Sequence, residues 1–198
     1  MSTPFETRDL ARIAVFAALI VALGLVGPIP VPGLVPITAQ TLGVMLAGLV
    51  LGARRGAAAV GVVILLAAIG LPVLSGGRGG LGVFFGPTVG YLLGWVSGVV
   101  IAGLIANSGP RTWWRFGLGA VVGGILGVYA LGIPLQALIT GVPLAQAALT
   151  SMVFLPGDLI KAAAATAVAS ALLRAYPAAF VPLRSHRRDV AAGARARA

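Results

Sequence analysis

Asp158 and Lys161 stand three residues apart in the run Phe154-Leu-Pro-Gly-Asp-Leu-Ile-Lys161, inside a chain that is 59% hydrophobic. Lys161 is the chain's single lysine. On a helix this spacing sets the carboxylate and the ammonium on one face. Charges inside an apolar segment are costly, so such a pair lines a cavity or marks a ligand pathway. The plainer alternatives are an internal salt bridge that fixes helix packing, or Asp158 acting as a helix cap. No second carboxylate stands nearby: Glu6 and Asp9 lie near the N-terminus and Asp189 in the tail. Paired acid–base chemistry and metal bridging therefore have no basis here. The absence of cysteine removes thiolate and haem-attachment chemistry, and the one histidine, His186, sits among arginines of the tail. No metal site is expected, and no Gly-x4-Gly-Lys-Ser/Thr loop offers a nucleotide site.

The elements that must hold this pair are membrane helices. A mean hydropathy of +1.06 with 9% charged residues excludes an ordinary soluble domain. The 198 residues leave room for about six spans of ~20 residues if loops stay short. Hydrophobic blocks separated by Gly, Pro or Arg place these spans near 9–26, 37–53, 56–74, 88–107, 116–135 and 157–175. Residues 1–27 are read as a retained first span, because Gly27-Pro-Ile-Pro follows rather than a cleavage site. The alternating prolines of Gly27-Pro-Ile-Pro-Val-Pro-Gly33 forbid a helix and favour a stiff extended loop. Ser75-Gly-Gly-Arg-Gly-Gly80 reads as a flexible loop, and residues 144–152 as a short surface helix. One membrane domain over residues 1–177 and a basic, disordered cytoplasmic tail over 178–198 follow.

Arginine placement sets the orientation. Arg8, Arg12, Arg54, Arg55, Arg111, Arg115, Arg174, Arg184, Arg187, Arg188, Arg195 and Arg197 fall on one side of a six-span arrangement, and only Arg78 on the other. The positive-inside rule then puts both termini in the cytoplasm. Trp113 and Trp114 suit the inner interfacial belt, and the formal charge of +10 reads as topology rather than nucleic-acid binding. Asp158 and Lys161 fall near the outer end of the sixth span, beside the Pro- and Gly-rich connections.

Other residues qualify for the same site. Thr38, Gln40 and Thr41 open the second span; capping accounts for Thr38, but an amide such as Gln40 needs a partner inside a span. In Gly82-Val-Phe-Phe-Gly-Pro-Thr-Val-Gly-Tyr-Leu-Leu-Gly-Trp95, Tyr91 and Trp95 share a helical face, while Gly86 and Gly90 permit close backbone approach. Those aromatics serve either a ligand ring or an interfacial belt. In the first span Ala14, Ala18 and Ala22 recur every four residues, a spacing that lets another helix approach. Internal packing uses such a stripe if it is covered, and a partner protein if it is exposed.

Four segments together resemble the biotin-binding S components of energy-coupling factor (ECF) transporters, the BioY family. They are Val35-Pro-Ile-Thr-Ala-Gln-Thr-Leu-Gly-Val-Met-Leu-Ala-Gly-Leu-Val-Leu-Gly-Ala-Arg-Arg-Gly56, Gly70-Leu-Pro-Val-Leu-Ser-Gly-Gly77, Gly86-Pro-Thr-Val-Gly-Tyr-Leu-Leu-Gly94 and Phe154-Leu-Pro-Gly-Asp-Leu-Ile-Lys161. The likeness covers roughly residues 10–175, with Ala39 and Val89 departing from the expected pattern.

This resemblance implies an all-α, six-helix membrane protein that captures biotin from outside the cytoplasmic membrane and is not itself an enzyme. It implies a transmembrane coupling protein docking on Ala14 and Ala18, and separate ATPases that drive uptake. Biotin would be the ligand, with no cofactor in this chain. Its ureido ring offers two N–H donors and a carbonyl acceptor, which a carboxylate and a lysine match by charge-assisted bonds. The implied binding residues are Asp158, Lys161, Gln40, Thr38, Phe85, Thr88, Tyr91, Trp95 and Arg78. Phe84, Phe85, Tyr91 and Trp95 would supply apolar walls, and Arg78 a contact for the ligand carboxylate. The rival readings are an S component for another vitamin, such as riboflavin or thiamine, a membrane-embedded lipid enzyme, or an ion-conducting oligomer. Missing catalytic groups argue against the enzyme, and a missing polar pore face against the channel.

Overall fold

The computed structural model describes residues 5–30 and 35–180. Pro32 and Gly33 of the first loop, His186 and the arginines from Arg184 onward lie outside the described residues. The described chain is helical throughout, apart from two isolated antiparallel bridges, Ile29 with Ile37 and Leu74 with Arg78. The helices are α1 (Thr7–Leu25), α2 (Gln40–Ala68), α3 (Val89–Ala106), α4 (Trp113–Val121), α5 (Val128–Thr140), α6 (Leu144–Ser151) and α7 (Leu155–Ala175). A π-helical turn over Val122–Gly127 joins α4 to α5, and Gly141 ends α5 in the left-handed conformation with φ 72°.

Four helical stretches among the described residues are long and apolar enough to cross a membrane: Gln40–Ala68, Val89–Ala106, Trp113–Thr140 and Leu144–Ala175. The division expected from sequence differs in identifiable places. The spans read at 37–53 and 56–74 both fall on α2. A straight helix of 29 residues would separate its ends by about 43 Å. Yet Gln40 Nε2 donates to Val73 O at 3.0 Å, so α2 doubles back on itself. The reversal sits at Gly52, whose φ 75° and ψ 176° belong to a region open essentially to glycine alone. Helix stops at Ala68 rather than 74, because Gly70 has φ 100° and Pro72 follows. The fifth stretch runs from Trp113 to Thr140, beyond the expected 116–135, and carries Pro134 within it. The first expected span, 9–26, falls on α1, whose opening turns hold Arg8, Asp9 and Arg12 and which is not one of those four stretches.

α3 is the central helix. On one side, a Cβ placed on Gly103 would lie 2.2 Å from the Ala53 nitrogen of α2. On the other, a Cβ on Gly94 would lie 2.5 Å from the Val128 carbonyl of α5. Backbones meet without side chains between them, which is how helices pack in lipid where the hydrophobic effect gives no net drive. Gly90 makes the same kind of approach to Gly132, whereas Gly86 meets open space.

The arginine-rich end of the bundle has its own lock. Arg55 beyond the α2 reversal reaches Asp9 of α1 through Nη2 at 2.8 Å and Nε at 2.7 Å. Arg12 donates to the carbonyl of Ala178, and Phe180 is buried against Phe116 with ring centroids 5.9 Å apart. Residues 178–180 thus pack on the bundle, although the sequence reading begins the tail at 178.

Gly52→Ala is expected to cost about 1–3 kcal/mol, because no L-residue adopts its backbone conformation without strain. The check is the unfolding midpoint in detergent, and an unchanged midpoint would contradict a sharp reversal at this residue.

Candidate ligand-binding site

α7 starts where Pro156 occupies the first turn, a position at which its missing N–H costs nothing. Asp158 follows in the same turn, where the helix N-terminus favours a negative charge. Lys161 lies one turn later on the same face, and its Nζ donates to Asp158 Oδ1 at 2.8 Å. The side chains retain only 15% and 9% exposure, for Lys161 and Asp158 respectively. Tyr129 of α5 donates its hydroxyl to the other carboxylate oxygen, Oδ2, at 2.7 Å. The carboxylate is therefore fixed by two donors from two helices. It keeps lone pairs free, and Lys161 keeps two of its three N–H donors for another acceptor.

These groups line a cavity of about 640 Å³, counted to its open mouth. Thr38, Gln40, Arg78, Thr88, Tyr91 and Trp95 line it with Asp158 and Lys161, joined by Val35, Leu92, Tyr129 and Phe154. Of the residues expected from sequence, Phe84 and Phe85 lie elsewhere. Phe85 closes the short 3-10 turn Leu81–Phe84 and is 80% exposed, away from the lining. Its neighbour Phe84 is partly buried against the core.

The aromatic wall is braced by polar contacts. Tyr91 meets Phe154 and Tyr129 edge-on, with centroids 6.0 and 6.3 Å away. Its hydroxyl donates to Gln136 Oε1 at 2.8 Å and lies 3.0 Å from Ser151 Oγ. This buried network ties α3 to α5 and α6, so the short α6 acts as a backing for the wall.

Gln40 has a different task from the one its position first suggests. Its amide donates to Ile20 O at 3.2 Å and Val73 O at 3.0 Å, and accepts from Ser75 N at 2.9 Å. Both donors are committed to bracing α1 and the loop after α2. Thr41, one residue on, has a buried hydroxyl with no protein partner and lines the cavity. Its hydrogen-bonding capacity is open to a molecule in the cavity.

The glycine run after α2 is a tight reversal, with Gly76 and Gly77 at φ 77° and 70° closing the Leu74–Arg78 bridge. It presents Arg78 at the rim, where Nε donates to Ser75 O at 3.2 Å and Nη1 to Thr88 Oγ1 at 3.3 Å. Tyr129, Gln136, Ser151 and Phe154 are the members that sequence reasoning missed. Tyr129 carried a usable signal, being a phenol three residues before Gly132 in an apolar span, since buried hydroxyls need partners. No group of His, Cys, Asp or Glu that could hold a metal ion occurs among the described residues.

Comparison with known proteins gives consistent matches. Residues 1–178 match the BioY family. The biotin transporter BioY of Rhizobium etli is 51% identical over 180 residues, covering 87% of this chain and 96% of that protein. The biotin transporter BioY of Rhodobacter capsulatus is 47% identical over 185 residues, covering 88% and 97%. Among solved structures, the S-component for biotin from an ECF-type ABC transporter superposes with a TM-score of 0.81 at 31% identity. That match covers 88% of this chain and 95% of the other.

The buried ion pair is testable without a ligand. Lys161→Met, which leaves Asp158 with Tyr129 as its remaining donor, is expected to destabilise by about 3–5 kcal/mol. Asp158→Leu with Lys161→Met together is expected to destabilise less than that single change, because no lone charge remains. Equilibrium unfolding in detergent measures both, and simple additivity of the two single effects would contradict a coupled pair.

Proposed function

The chain belongs to the BioY family, and from that membership we infer that it captures biotin as the substrate-binding S component of an ECF-type transporter. It is a membrane subunit for biotin uptake and not an enzyme. The observation that carries the reading is Asp158 and Lys161 side by side on the wall of a cavity that also offers apolar and aromatic surface from Val35, Leu92, Trp95 and Phe154.

The following roles are proposed on that basis. Asp158 accepts a hydrogen bond from a ureido N–H, while Tyr129 holds its other oxygen. Lys161 Nζ lies only 2.8 Å from Asp158 Oδ1, so both meet the same end of the ligand. Lys161 then donates to the ureido carbonyl, and Thr41 supplies a neutral contact. Tyr91, Trp95, Leu92 and Phe154 enclose the apolar ring and chain. Arg78 at the rim pairs with the valerate carboxylate, releasing its contact to Thr88. A site filled by charge-assisted bonds penalises any analogue that lacks the matching group.

The membrane arrangement proposed is six crossings, counting the two arms of α2 separately, with both termini in the cytoplasm. Supporting it, Arg12, Arg55, Arg111 and Arg115 share one end of the bundle, whereas the cavity and Arg78 occupy the other. The cavity then opens outward from the cytoplasmic membrane. On α1, Ile13, Ala17 and Ile20 face the core while Ala14, Ala18 and Ala22 are exposed. We assign that smooth face to the transmembrane coupling protein, with ATP hydrolysis residing in separate subunits.

Calorimetry on the detergent-purified chain tests the substrate. Biotin is expected to bind at one-to-one stoichiometry without ATP, and riboflavin and thiamine not to bind; a folded sample that ignores biotin would overturn the reading. For the docking face, Ala14→Trp is expected to leave biotin binding intact and to abolish uptake in cells that supply the remaining subunits. Loss of both would show that the stripe packs internally.

A further inference from the structure

At the end of the bundle opposite the cavity, a groove runs between the end of α3 and the start of α4. Leu104, Ile105, Ser108, Trp114, Arg115 and Leu118 line it, around about 640 Å³ open to the surroundings. We propose that this groove binds one anionic phospholipid of the inner leaflet, with Arg115 holding the phosphate and an acyl chain lying over Leu104 and Leu118.

Charge is the first argument. Arg115 has no carboxylate partner among the described residues; its Nη1 donates to Ser108 Oγ at 3.0 Å, and its guanidinium lies 5.0 Å from the Trp114 ring centroid. Four of its five N–H groups remain for another acceptor, in the planar fork that suits a phosphodiester. Ser108 donates its hydroxyl hydrogen to Ile105 O at 2.9 Å and accepts from Arg115, so it orients the guanidinium rather than meeting the phosphate itself. Gly109 makes the arrangement possible: a Cβ there would lie 2.3 Å from Arg115 Nη1, so the guanidinium lies directly over the backbone.

Depth is the second argument. Leu104 lies within the last turn of α3, which ends at Ala106, whereas Ser108 and Arg115 lie beyond that helix end. Leu104 and Leu118 are 56% and 46% exposed, and both face outward from helices apolar enough to cross a membrane. Trp113 and Trp114, 71% and 48% exposed, mark the interfacial level at which headgroups sit. A basic head above an apolar trough matches a lipid rather than a free anion, which would leave the trough unused. A headgroup that adds an ammonium would meet the Arg115 guanidinium, so net negative lipids are favoured over zwitterionic ones.

The test is native mass spectrometry and lipid-dependent thermal stability of the full chain, with phosphatidylglycerol and phosphatidylcholine of matched acyl chains. Phosphatidylglycerol is expected to be retained and to raise the unfolding midpoint, and phosphatidylcholine to do neither. Arg115→Gln is expected to weaken phosphatidylglycerol binding about tenfold, while Arg174→Gln, on α7 outside the groove, leaves it unchanged. Gly109→Ala, which displaces the guanidinium without removing its charge, gives the same loss and decides the matter if Arg115→Gln does not fold. Unaltered phosphatidylglycerol binding in the folded groove variants would overturn the proposal. So would equal retention of phosphatidylcholine, or equal stabilisation by inorganic phosphate alone.

Discussion

A carboxylate can persist among apolar helices only if nearly everything around it is arranged to satisfy its hydrogen bonds and hold it in place. Asp158 meets that condition through three independent supports. It stands in the first turn of α7, Lys161 donates to one oxygen, and Tyr129 donates to the other. Each support comes at the expense of freedom elsewhere. Tyr129 must sit against Tyr91, Tyr91 must find Gln136 and Ser151, and Ser151 brings α6 up behind the wall. The position of one charge thus propagates through four helices. The cavity is the space left inside that framework.

The remainder of the fold keeps this framework rigid without a hydrophobic drive between helices. Close contacts across α3 at Gly94 and Gly103 bring backbones together on both of its sides. Gln40 adds a polar pin, linking α1 to the loop after α2 from a buried position. At the opposite end the bidentate contact of Arg55 with Asp9 holds the α2 reversal against α1. The charges of the described residues therefore fall toward the two ends of the bundle, with a nearly uncharged middle. The cavity end leaves hydrogen-bonding capacity unused, whereas at the other end the Asp9 carboxylate is occupied by arginine.

Much of this could be read from residue types and spacing. Lys161 and Asp158 announced themselves because charges in apolar runs are rare and their spacing is helical. The arginine clusters separated the two ends, and the alanine stripe of α1 is exposed as a partner surface requires. What escaped the sequence was of three kinds. Tyr129 and Ser151 look like ordinary members of apolar segments, and only the packing of α5 and α6 against α3 and α7 gives them partners. Gln40 was legible as a buried amide, but its committed donors were not, since Ile20 and Val73 contribute carbonyls that every residue has. Phe85 was grouped with the wall because it is aromatic and nearby, yet the turn before Gly86-Pro87 carries it outward. The reversal at Gly52 was visible as a boundary between two apolar blocks, while its tightness depended on a backbone conformation no sequence pattern displays.

The central claim is that Asp158 recognises the ureido group directly, rather than merely stiffening the wall. A thermodynamic cycle between protein and ligand measures this. Biotin and its analogues methylated singly at each ureido nitrogen are titrated against the wild-type chain and Asp158→Asn. The account predicts that methylation at one nitrogen costs at least ~1 kcal/mol more in the wild type than in the variant, because only the wild type has a charged acceptor to lose. Equal penalties in both proteins, at both nitrogens, would contradict it and leave Asp158 a structural residue.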